Sequence, residues 1–90
     1  MARAYVDPAE LRRFAHDLNR FNGDVESLIN GLRARLHGLE NTWRDQEQRK
    51  FTEAFEQTVK VLGIFMEASH EHVSFLNKKA SLIEEYLKTR

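Results

Sequence analysis

Glu67 and His70 stand three residues apart, the Glu-x-x-His step by which helical bundles present a pair of metal ligands from one helix. A metal centre built that way also needs carboxylates from the facing helices, all directed inward. Here Glu67, His70 and Glu71 fall between the apolar positions of their segment, so they read as a solvated face. His70 and His72 are two apart, roughly 200° around a helix, and cannot hold one ion between them. Ser27, Ser69, Ser74 and Ser81 have no paired base and no third group to orient one, so a nucleophilic triad has no support. Neither catalysis, a metal nor a cofactor is expected. His72 differs from His70 in lying on an apolar row, where it reads as a partly buried interface imidazole, with a pH-sensitive contact as the alternative.

Composition restricts what carries these side chains. The chain has 90 residues, no cysteine, and 14 basic against 14 acidic residues. A balanced charge gives no net field to attract nucleic acid or anionic lipid. Without cysteine, disulfides and thiolate metal sites are unavailable to a chain whose size leaves it marginally stable alone. Oligomerisation or very regular helix packing must compensate. No stretch reaches the ~20 apolar residues of a membrane span, and Met1-Ala2-Arg3-Ala4-Tyr5-Val6-Asp7 lacks the apolar core of a cleavable signal peptide.

The chain reads as one helical-hairpin domain over 1–90: helix one about 8–41, a turn about 42–45, helix two about 46–88. Asp7 caps the first helix, Pro8 fits its first position, and Glu10 has capping-box spacing. Its stripe runs Leu11, Phe14, Leu18, Phe21, Val25, Leu28, Leu32, Leu36, Leu39 and Trp43, with a stutter around Leu32. Gly31 and Gly38, seven apart, predict a face where another helix comes close. Asp45 caps the second helix with Gln48 in the reciprocal box position. The second stripe is Phe51, Phe55, Val59 or Thr58, Leu62, Met66, Ser69, Val73, Leu76, Ala80, Ile83 and Leu87.

Offset from it by one position runs another row: Val61, Phe65, Ala68, His72, Phe75, Leu82 and Tyr86. The apolar face of helix two is therefore too wide for one partner helix. Ala15, Val25 and Ile29 form a thinner supplement on helix one. The expected class is all-α, two long antiparallel helices joined by a short turn, dimerising through this row into a four-helix bundle.

The central run Asn41-Thr42-Trp43-Arg44-Asp45, set between two heptad-like helices in a chain of this length, resembles the WXG family of small type VII secretion substrates. In that family the turn reads W-x-G, commonly followed by a small residue two positions on and a Phe four positions later. Trp43 and Phe51 match; Asp45 replaces the glycine and Glu47 the small residue. The family's paired actinobacterial members carry a Y-x-x-x-D/E tail, where this chain has Tyr86 followed by Arg90. The resemblance implies a substrate, adaptor or co-secreted chaperone, secreted without a cleavable signal peptide. Its implied partners are a second copy or a related hairpin, and a secretion ATPase. A cytoplasmic helical interaction module with the same geometry is the alternative.

Overall fold

The computed structural model describes residues 6–89. Met1–Tyr5, read above for a leader, and Arg90, read as the tail position, lie outside the described residues. Two helices make up the fold: α1, Pro8–Leu39, and α2, Gln46–Thr89. They fold back on each other as an antiparallel hairpin measuring 68 × 23 × 17 Å.

Local chemistry sets the helix ends. Asp7 Oδ1 accepts from the Ala9 N–H at 2.9 Å, and Pro8 occupies the first turn where its missing N–H costs nothing. The reciprocal half of the expected capping box is absent, because Glu10 is drawn instead to Arg13 one turn on. At the other end α1 stops at Leu39 rather than near 41. Its ladder tightens there: the Glu40, Asn41 and Thr42 N–H groups each donate three residues back, to His37, Gly38 and Leu39.

The seam between the helices corrects the stripe expected for helix one. Leu11, Ala15, Leu18, Asn22, Val25, Ile29 and Leu36 are buried or half-buried, whereas Phe14, Phe21, Leu28, Leu32 and Leu39 are exposed. The seam advances in unbroken steps of four and three from Leu11 to Ile29, so the stutter at Leu32 disappears. Small residues take the tightest places, since Ala15 and Ala80 let the backbones approach and the large rings are displaced to the flank. Across from it lie Thr52, Phe55, Val59, Leu62, Met66, Ser69, Val73, Leu76, Ala80 and Ile83, much as expected for helix two. At the turn end, Gln48 is buried and Phe51 exposed, which reverses that part of the expected stripe.

Gly31 and Gly38 are also corrected: a Cβ at either would meet nothing within 4 Å, so α2 does not approach them. They face away from the seam, whose nearest members are Ile29 and Leu36.

One polar pair interrupts the apolar seam. Asn22 is fully buried and its Oδ1 accepts from Ser69 Oγ at 2.6 Å, while Nδ2 has no partner. Sliding either helix would leave both groups buried and unpaired, a cost of ~1–3 kcal/mol per group, so the pair fixes the register.

Candidate interaction face and turn

At the turn, the Leu39 carbonyl accepts from the N–H groups of Thr42 at 3.0 Å and Trp43 at 2.8 Å. Arg44 Nε donates to the Glu40 carbonyl at 2.8 Å, satisfying another of the carbonyls that the end of α1 leaves open. Asp45 Oδ1 then caps α2 by accepting from the Gln48 N–H at 2.9 Å. Gln48 does not reach back to complete the box; its side chain donates to Thr52 Oγ1 at 2.9 Å. No described residue has a positive φ. Asp45 therefore occupies the position of the motif's glycine without left-handed backbone, and adds a cap that glycine lacks.

Trp43 is half-buried and packs on Phe51 at 6.0 Å between ring centroids, in a tilted arrangement. Phe51 stacks in turn on Phe55 at 6.1 Å. Trp43 and Phe51 thus join the aromatic ladder, and Asp45 supplies the cap.

The long sides of the hairpin differ sharply. On one, charged residues form cross-helix ion pairs. Arg12 donates to both carboxylate oxygens of Glu84, at 3.0 and 2.7 Å, and to Ser81 Oγ at 2.9 Å. Arg33 meets Glu56 at 3.1 Å. The hydrogen bonds from Arg12 hold the Glu84 carboxyl below the usual range, and those to Glu84 raise the Arg12 guanidinium in return.

On the opposite side, residues that precede seam positions are apolar. Phe14, Phe21 and Leu28 on α1 come just before Ala15, Asn22 and Ile29; Phe65 and Phe75 on α2 come just before Met66 and Leu76. Between the helices here lies a groove of about 460 Å³ lined by Phe14, Leu18, Phe65, Ala68, Ser69, His72, Phe75 and Leu76. Four of the seven residues expected at an interface, Phe65, Ala68, His72 and Phe75, line it. Val61, Leu82 and Tyr86 continue the same row on α2, each about two-thirds exposed. The α1 contribution from Phe14, Phe21 and Leu28 was not separated from the seam by hydrophobicity alone, although their seven-residue spacing carried the signal. Glu67, His70 and Glu71 are exposed, and among the described residues no group of three or more His, Asp or Glu side chains is placed to hold a metal ion. No described helix is long and apolar enough to cross a membrane.

A family model, WXG100, described as proteins of 100 residues with WXG, matches residues 5–86. No curated protein matches the chain. Among solved structures, it is similar to the secreted protein EsxB from Bacillus anthracis strain Sterne, as wild type, labelled protein and point mutants. The wild-type form has a TM-score of 0.79 and 27% identity, covering 90% of this chain and 93% of that one. A selenomethionine-labelled form gives 0.84 and 26%, covering 96% and 98%. A point mutant gives 0.86 and 26%, covering 94% and 96%.

Proposed function

Because this chain belongs to the WXG100 family and is a small helical protein associated with type VII secretion, we propose that it is an export substrate that travels as a pair of hairpins and works through protein–protein contact. The observation that carries the pairing is the apolar flank: Phe65, Phe75, Leu82 and Tyr86 are each more than half exposed, in line, with Phe14, Phe21 and Leu28 beside them. Likeness to a secreted protein over nearly its whole length supports export. The turn offers the recognition feature, since Trp43 remains partly accessible beside Phe51 and Phe55 at the end of the hairpin. An adaptor or co-secreted chaperone would use the same flank and turn. The secretion ATPase is the partner that the turn would address.

Export is tested in the native host by the ratio of extracellular to cellular protein, with a cytoplasmic marker controlling for lysis. Trp43→Phe keeps an aromatic ring on Phe51 and should preserve helicity and pairing while lowering export. An unmodified protein that stays wholly in the cytoplasm while the secretion system is active would defeat the reading, in favour of a cytoplasmic interaction module.

A further inference from the structure

Two Asn-Gly steps lie within α1, Asn22-Gly23 and Asn30-Gly31, and the chain has no others. At such a step a polypeptide is able to modify itself. The Gly nitrogen, with no side chain to obstruct it, loses its proton to hydroxide and attacks the Asn Cγ, while Nδ2 takes up a proton and leaves as ammonia. Water then opens the five-membered succinimide at one carbonyl or the other, leaving aspartate or isoaspartate.

The fold restrains the two steps unequally. In both, the Gly N–H belongs to the ladder of α1, and helical backbone holds the nitrogen away from the preceding side chain. Asn30 is exposed, so a local opening of the helix is enough to free it. Asn22 is fully buried, and its Oδ1 accepts from Ser69 Oγ at 2.6 Å across the seam. It is freed only when the helices separate.

From this we infer that Asn22 is a deamidation site latched by the seam, silent while the hairpin is closed and converted irreversibly once α1 and α2 come apart. The latch depends on the hairpin alone, and neither export nor pairing is needed for it. The converted chain does not close as before. Nδ2 already lacks a partner, so a carboxyl group loses no hydrogen bond there while it stays protonated. Once ionised, it is a buried charge whose seam neighbours, Leu18 and Val25 on α1 and Met66, Ser69 and Val73 on α2, include no cation. Isoaspartate instead adds a methylene to the backbone and breaks the ladder of α1. A hairpin held open at neutral pH thus returns without the pair that fixes its register.

Folded protein and protein held open in guanidinium chloride are incubated in the same mildly alkaline buffer, and peptide mass spectrometry follows the conversion of amide to acid at each step. Both steps should convert at similar rates in the open chain. In the folded protein Asn22 should convert at least ~100-fold more slowly than in the open one, because the open form is a minor population, and Asn30 should be slowed less. Ser69→Ala should speed Asn22 about tenfold in the folded protein, with a smaller effect on Asn30. The Asn22→Asp variant reports what the product does. Burial raises its folded value above the unfolded ~3.9, so its stability is lost as pH rises: its Tm should lie below that of the unmodified protein at neutral pH, and the gap should narrow towards about pH 4. Conversion of Asn22 in the folded protein as fast as that of Asn30, or unchanged by Ser69→Ala, would overturn the latch. Equal Tm values for Asn22→Asp and the unmodified protein at neutral pH would overturn its consequence.

Discussion

Asp45 shows how a single side chain substitutes for a motif glycine. Glycine is needed where φ is positive, and no described residue in this turn has one. The position instead gains a carboxylate that accepts from the Gln48 N–H and starts α2. Trp43 beside it is half-buried against Phe51, so its removal should cost less than the ~3–5 kcal/mol of a fully buried ring. Trp43→Ala should lower stability by about 2 kcal/mol, read by circular dichroism during urea denaturation; a loss within experimental error would show that the indole makes no useful packing contact. The capping and aromatic residues of this turn were legible in the sequence because they act locally, through neighbours a few positions away. The unformed capping boxes were less so, since Glu10 and Gln48 each found a better partner one turn further on, in Arg13 and Thr52.

Each helix carries two rows of apolar residues one position apart, and this explains what the pattern concealed. Periodicity located both helices and the surplus row on α2, because every member of that row stands one position before a residue of the expected stripe. It could not tell which row of α1 enters the seam. Hydropathy favours Phe14 and Phe21 over Ala15 and Asn22, but close approach of two backbones favours the small residues, and the Asn22–Ser69 hydrogen bond requires Asn22 to face inward. The cross-helix ion pairs on the other flank depend on that same choice, since Arg12 and Glu84 each follow a seam residue. They also give the hairpin an acid-sensitive element. Glu84 titrates lower when folded than its ordinary unfolded value of about 4.3. Its contribution is therefore complete above the unfolded value and is lost as pH falls through the folded one. Both groups are solvent-exposed, so the effect is small. Glu84→Gln should flatten the fall in Tm between about pH 5 and pH 3 relative to the unmodified protein. Parallel Tm profiles for the two proteins would show that the ion pair does not couple folding to protonation.

As a whole molecule the chain is a thin rod. Its radius of gyration is 20.3 Å. A compact chain of this length would have one of about 12 Å. A rod of two helices has a single seam, and here that seam leaves one apolar flank open from Phe51 to Tyr86. The exposed row on α2 was legible from the width of that helix's apolar face. Which residues of α1 join that flank was not, because that emerges only when Asn22 and Ser69 set one helix against the other. The central claim is that this hairpin is half of a four-helix bundle, and the most direct measurement is molar mass by light scattering at about tens of micromolar protein, where a dimer of micromolar or tighter affinity is substantially populated. The unmodified protein should have twice the chain mass of 10.6 kDa, and the double variant Phe75→Glu with Leu82→Glu should fall to the single mass with reduced helicity. A single-chain mass for the unmodified protein, with its helices intact, would contradict the account.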